Sequence, residues 1–140
     1  MLEMADIKAP PPPNRGIAII AEDSSANAAA LAIFVKQLGF TVKSFHDGKA
    51  AWDYLSVLSG ADLAALKIIF SDYMMPRMNG KELLLKVRET PAFAKLPFVF
   101  CTAVIDPAMV REVLNLTQGY LVKPASLSAV KKKIDTIFGA

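Results

Sequence analysis

Four apolar runs in this chain lead into groups that can do chemistry. "IAII" (17–20) runs into Glu22-Asp23, and "IIFS" (68–71) into Asp72. "PFVFC" (97–101) ends on Thr102, and "GYLV" (119–122) on Lys123-Pro124. Singly, each is an ordinary turn or helix cap. Together, three carboxylates, a hydroxyl and an ammonium make a set with a purpose. Two carboxylates ~5 Å apart repel by roughly 3 kcal/mol at an effective dielectric near 20. Glu22, Asp23 and Asp72 side by side would therefore call for a cation. Mg²⁺ suits them, because it takes near-octahedral oxygen ligands and keeps several waters. Lys123 adds a positive point charge and Thr102 a hydroxyl donor. A metal, an ammonium and a hydroxyl around one carboxylate would neutralise a phosphoryl group during transfer.

The elements that must position these groups alternate along the chain. The apolar run 17–20 precedes the helix-forming "SANAAALAIFVKQLG", with Ser24 or Ser25 as its cap and Gly39 as its stop. The β-rich "TVKSF" (41–45) precedes an amphipathic helix over 49–58, with Trp52, Leu55 and Leu58 on one face. A third strand over 67–71 leads to a helix over 81–89 that Pro91 stops, and a fourth strand over 97–102 follows. Pro107 opens a fourth helix reaching about Leu116, since proline is allowed in a first turn. A fifth strand (119–122) and a fifth helix (126–138) close the series. Five β-then-α units imply a parallel sheet with helices on both faces. Continuous apolar runs suit strands buried on both sides. Ligands of such sheets bind beyond the carboxyl ends of the strands, where the candidate groups lie.

Composition narrows the class. The chain is 54% hydrophobic and 21% charged, enough to bury a core. No apolar run reaches the ~20 residues of a membrane span. There is no signal peptide, so a cytoplasmic protein is the default expectation. The net charge of +3 is mild, and neither a basic stripe nor a nucleic-acid motif is present, so direct nucleic-acid binding is not expected. Lys131-Lys132-Lys133 reads as the solvated face of a helix, and the single Cys101 as a buried, inert thiol. Residues 1–15 stand apart. Pro10–Pro13 cannot lie inside a helix or central strand, so 1–15 reads as a flexible proline-rich tail and 16–140 as one domain.

The sequence resembles the receiver domain of two-component response regulators over about residues 16–138. "EDS" (22–24), "SDYMMPRMNG" (71–80), "TA" (102–103) and "YLVKP" (120–124) carry the resemblance. It implies a flavodoxin-like (βα)5 fold with strand order 2-1-3-4-5. It implies phosphorylation of Asp72, with Mg²⁺ (or Mn²⁺), by a sensor histidine kinase or a histidine phosphotransfer protein. Under it, Asp23, Asp72 and the Met74 backbone carbonyl hold the metal directly, and Glu22 does so through a water. Lys123 contacts the phosphoryl oxygens, Thr102 hydrogen-bonds them, and Tyr120 turns inward as a switch. The Lys123-Pro124 bond is a cis candidate. The output is expected through the face made by the fourth helix, fifth strand and fifth helix, toward a target protein or a second copy. The chain is expected to carry no output domain and to promote its own phosphorylation and dephosphorylation rather than act as a conventional enzyme. Met74 and Val104, at the positions that tune hydrolysis in this family, predict a long-lived phosphoryl group.

Three features depart from the family pattern: Glu22 in place of a common Asp, a longer segment at 59–67, and a stretch before the fifth strand about one residue short. Other classes fit worse. A haloacid-dehalogenase-like phosphatase needs a second Asp where Met74 stands. A dinucleotide site needs glycines where the chain reads "AEDSSA". The remaining alternative is a phosphorylation-independent binding module of the same fold.

Overall fold

A computed structural model describes residues 14–103 and 106–139. Five parallel strands form one sheet in the order β2-β1-β3-β4-β5. They are β1 (Ile17–Ala21), β2 (Thr41–Phe45), β3 (Leu66–Ser71), β4 (Phe98–Thr102) and β5 (Tyr120–Val122). The helices are α1 (Ser25–Gln37), α2 (Gly48–Ser56), α3 (Gly60–Ala65), α4 (Gly80–Glu89), α5 (Pro107–Val113) and α6 (Leu127–Phe138). The doubly wound α/β reading and its strand order hold.

The three inner strands are buried almost throughout, and β2, at an edge, is largely exposed. Strand alternation sends successive side chains to two separate cores. Ile17, Ile19 and Ala21 face α2 and α4, where Leu55, Leu83, Leu84 and Val87 pack. Ala18 and Ile20 face α1 and α6, where Leu31, Val35, Val130 and Ile134 pack. Ser24 caps α1 by accepting the Asn27 N–H at its hydroxyl, and Ser126 caps α6 by accepting that of Ala129. Asn79 and Glu82 form a reciprocal capping box at α4.

Most element ends fall within two residues of the sequence expectation, and two regions depart from it further. The long segment 59–67 folds as a separate short helix, α3, directly before β3. None of its side chains is fully buried, so the apolar pattern that marks packed helices is weak there. The strand after it starts one residue earlier than expected, at Leu66. An irregularity in the β1–β3 ladder leaves Lys67 between the partners of Ile17 and Ala18. The helix expected to reach Leu116 stops at Val113 and tightens into a 3₁₀ turn, Leu114–Leu116. That turn lies in the stretch read from the sequence as about one residue short.

Arg88 ties the short stretch down. Its guanidinium donates to the carbonyls of Leu116 (2.8 Å), Leu96 (2.8 Å) and Phe93 (3.2 Å), and reaches Gln118 Oε1 at 3.4 Å. The Gln118 side chain in turn accepts the Phe98 N–H at 2.7 Å, at the start of β4. Partial burial holds the Arg88 pKa below its ordinary value. Replacing Arg88 with Met keeps the apolar stem but strips three carbonyls of a donor. It should cost about 1–3 kcal/mol, read as a lower urea midpoint at unchanged m. A midpoint equal to wild type would show that water replaces the guanidinium without loss.

Asp47 makes a second polar lock, absent from the sequence reading. Its carboxylate caps α2 through the Ala50 N–H (2.8 Å) and accepts both Nε (2.9 Å) and Nη2 (3.2 Å) of Arg77. Those guanidinium bonds hold its pKa below the ordinary carboxylate value, against the opposing effect of burial. A lowered folded-state pKa stabilises the protein above the unfolded value and loses that effect as pH falls through the folded one. Arg77 has a left-handed backbone, φ 65°, which Asn tolerates. The stability gap between wild type and Arg77→Asn should be constant above about pH 5 and close at lower pH, because the unfolded carboxyl titrates near 3.9. Urea melts at stepped pH measure it, and a gap independent of pH would contradict the assignment.

Candidate functional site

The parallel sheet brings the four strand ends to one edge. Asp72 follows β3 directly, and its N–H donates to the Ala21 carbonyl at the end of β1. Glu22 follows β1, and its N–H donates to Phe45 at the end of β2. Thr102 ends β4, and its carbonyl accepts the Lys123 N–H just past β5. Main-chain bonds between neighbouring strands thus set the spacing of the functional side chains.

The side chains converge. Oxygens of Glu22, Asp23 and Asp72 all lie within 4.8 Å of one another. Glu22 and Asp72 are buried and Asp23 is exposed, so the cluster opens to solvent on one side. The Lys123 ammonium sits between the two buried acids, 2.5 Å from Glu22 Oε1 and 2.6 Å from Asp72 Oδ2. The Ser24 N–H donates to Glu22 Oε2 at 3.0 Å. Burial pushes the Glu22 pKa up, against the hydrogen bonds from Lys123 and Ser24, and the Asp72 charge adds to the rise. Burial works against the Lys123 charge as well, but its bonds to Asp72 and Glu22 outweigh it and the pKa rises.

A cleft of about 220 Å³ opens over Asp72, lined by Met74, Thr102, Ala103, Asp106 and Lys123. Thr102 is buried and Met74 is 69% exposed at the rim. The sequence reading missed Asp106 as a lining residue. Its only signal was the Asp-Pro pair that opens α5. The loop after Asp72 returns sharply: the Gly80 N–H donates to Tyr73, and a side chain at Gly80 would collide with the Asp72 carbonyl and the Phe100 ring. Asn79-Gly80 is thus needed at this point because α4 starts against the backbone of the phosphoacceptor candidate.

The structure gathers Glu22, Asp23, Asp72, Thr102 and Lys123 around one opening. The Lys123-Pro124 bond is cis. Tyr120 stands apart, 41% exposed at the start of β5. Val104 lies outside the described residues. Cys101 is buried beneath the site, and burial pushes its thiol pKa up to about 12, which makes it inert at neutral pH.

The donor set fits a divalent hard cation. Three carboxylates within 4.8 Å supply oxygen ligands only, and the open side leaves room for water ligands.

Comparison with known proteins agrees with this geometry. The family model "Response regulator receiver domain" matches residues 18–135. Over 123 residues the chain is 29% identical to chemotaxis protein CheY1 of Helicobacter pylori, covering 86% of this chain and 95% of that protein. Among solved structures, the chemotaxis response regulator CheY4 of Vibrio cholerae superposes with a TM-score of 0.77 at 21% identity, covering 89% of this chain and 100% of that one. The Mn²⁺-bound form of response regulator Rcp1 superposes with a TM-score of 0.68 at 23% identity, over 87% of this chain and 91% of that one. At these identities the two superpositions bear on the fold. With the family match spanning most of the domain, the chain belongs to the response regulator receiver family of two-component signal transduction.

Proposed function

We propose that this chain is a phosphorylation switch in which Asp72 accepts a phosphoryl group from a histidine kinase or a histidine phosphotransfer protein. The observation that carries the reading is Lys123 Nζ at 2.6 Å from Asp72 Oδ2, within a cluster of three carboxylates that opens into a cleft. An Asp72 oxygen attacks phosphorus, the donor's P–N bond breaks, and an acyl phosphate forms. A bound Mg²⁺ or Mn²⁺ would supply charge neutralisation of the phosphoryl oxygens. Asp23, Asp72 and the Met74 carbonyl would hold that ion, with Glu22 acting through water. Lys123 keeps one charge-assisted bond available to a phosphoryl oxygen as it leaves the Asp72 carboxylate. Thr102, at the cleft wall, supplies a hydroxyl to another. Met74, apolar and at the rim, can neither take a proton from an attacking water nor orient one, which favours a long-lived product.

The domain assignment of 16–140 as receiver and 1–15 as tail belongs to the same reading. Treatment with acetyl phosphate and Mg²⁺ should add one phosphoryl group by intact-mass spectrometry. Asp72→Asn, or chelation of the metal, should abolish the addition. Wild-type protein that stays unmodified at saturating Mg²⁺ would leave only a phosphorylation-independent binding module.

The output reading follows from the cleft's neighbours. Thr102 pairs with Val122 across β4 and β5, so a Thr102 displacement acts directly on the strand that carries Tyr120. Tyr120, Val122 and Leu127 present apolar surface along β5 and α6. Phosphorylation would draw the Thr102 hydroxyl inward and let the Tyr120 ring follow, remodelling the α5–β5–α6 face for a target or a second copy. Moving a two-state equilibrium from 1:99 to 99:1 needs about 5.5 kcal/mol. Two or three charge-assisted bonds of ~1.5–3 kcal/mol each supply that. NMR shift mapping with beryllofluoride should show changes spreading from the cleft into residues 108–138. Changes confined to the cleft would refute the switch.

A further inference from the structure

Residues 73–78, directly after Asp72, form an arch between β3 and α4. Its foot is closed by the Gly80 N–H, which donates to the Tyr73 carbonyl at 2.8 Å. Tyr73 and Met75 pack partly buried against the core under α2 and α4, Met78 is buried in it, and Met74 is exposed. The carbonyls of Tyr73, Pro76 and Met78 accept the N–H groups of Gly80, Met78 and Gly48. That of Met74 accepts no hydrogen bond among the described residues.

Arg77 is the bend of this arch. Its φ is 65°, and the Met78 N–H closes back on the Pro76 carbonyl at 2.7 Å, which makes a three-residue turn of the rare, strained kind. A residue other than glycine stays in such a conformation only where its surroundings impose it. Here Asp47 does so. Its carboxylate, buried two residues past β2, takes Nε and Nη2 of Arg77 in a forked pair at 2.9 and 3.2 Å. The same carboxylate caps α2 through the Ala50 N–H, so the fork is anchored on the start of a helix. Gly48 beside it donates to the Met78 carbonyl at 3.1 Å and lies so close that no Cβ would fit. The start of α2 thus seats the arch on the sheet edge that carries the acids.

We propose that Asp47 and Arg77 are positioning residues that set the divalent-cation affinity of the site, by holding the arch and with it the Met74 carbonyl in a binding-competent shape. The proposal rests on the reading of Asp72 as a phosphoacceptor whose cation is held by Asp23, Asp72 and Met74. The main-chain bonds that place Glu22, Asp72 and Lys123 at their strand ends do not involve Arg77. Loss of the fork therefore weakens cation binding and leaves the phosphoryl-transfer groups in place. An arch that is competent only about a tenth of the time raises the apparent Kd about tenfold.

Charge alone predicts the opposite for Arg77. Removing a cation from the neighbourhood of Glu22, Asp23 and Asp72 deepens the negative potential there and tightens cation binding. Arg77→Asn leaves the left-handed backbone accessible, so the direction of its effect separates positioning from charge. Arg77→Lys keeps the charge and loses the planar fork, which separates them again.

The experiment titrates Mg²⁺ into the full chain and the two full-length variants, following the amide shifts of Asp23 and Met74 by NMR. The initial rate of labelling by acetyl phosphate is then measured at saturating Mg²⁺. The Mg²⁺ Kd should rise about tenfold in Arg77→Asn, with Arg77→Lys between it and wild type. The labelling rate at saturating Mg²⁺ should stay within about twofold of wild type. A Kd in Arg77→Asn equal to or below that of wild type overturns the proposal, whatever Arg77 adds to stability. A labelling rate that falls at saturating Mg²⁺ while the Kd holds overturns it too. Wild type that takes up no Mg²⁺ overturns it together with the phosphoacceptor reading, so the two failures are told apart.

Discussion

One ammonium between two buried carboxylates organises this molecule. Lys123 reaches Glu22 and Asp72 at about the same distance, from a strand that neighbours neither of theirs. Burying a charge costs several kcal/mol unless it is paired and hydrogen-bonded. Here two negative charges are buried at adjacent strand ends, and the bridging cation offsets their repulsion. The arrangement demands that β1, β3, β4 and β5 end at one level. It also demands that the loop after β5 turn back over the sheet. The cis Lys123-Pro124 peptide lies at that turn. The fold can be viewed as the frame that holds this triangle of charge open to solvent on the Asp23 side.

The frame is uneven in burial, and that unevenness would suit the proposed switch. β1, β3 and β4 are buried on both faces by two cores, so the acids sit on the best-packed part of the domain. β5 is only three residues long, lies at the edge, and exposes Tyr120 and Val122. Thr102 thus lies between a fully buried strand on the β3 side and a short, partly exposed one, β5. Arg88 ties the turn before β5 to the end of α4 and the loop before β4.

At the far end of the sheet the long segment 59–67 folds without disturbing the strand ends. α3 adds a turn of helix before β3, and the ladder irregularity at Lys67 takes up the extra residue. After it, Ile68 to Ser71 run in register with β1, and Asp72 arrives beside Ala21. A slip of one residue carried to the strand's end would have turned Asp72 to the wrong side, because side chains alternate with period two. Confining the shift to the strand's first pair is what protects the site.

Much of this was present in the residues themselves. Apolar runs with turn residues between them announced five β-then-α units, because strand and helix periodicities are local properties of the chain. The acids, Thr102 and Lys123 were legible because each directly ends a strand, and a parallel sheet must place those ends on one edge. The parts decided only by tertiary structure are the ones without a local signal. α3 has no buried stripe to mark it, and the early end of α5 depends on where Arg88 can reach. The Asp47–Arg77 pair joins residues thirty positions apart, and Asp106 faces the cleft only through the path of the loop before α5. The bridge from Lys123 to two acids at once is likewise invisible in sequence. It needs the strand order, the level of the strand ends and the burial that makes opposite charges seek each other, and these are properties of the folded whole.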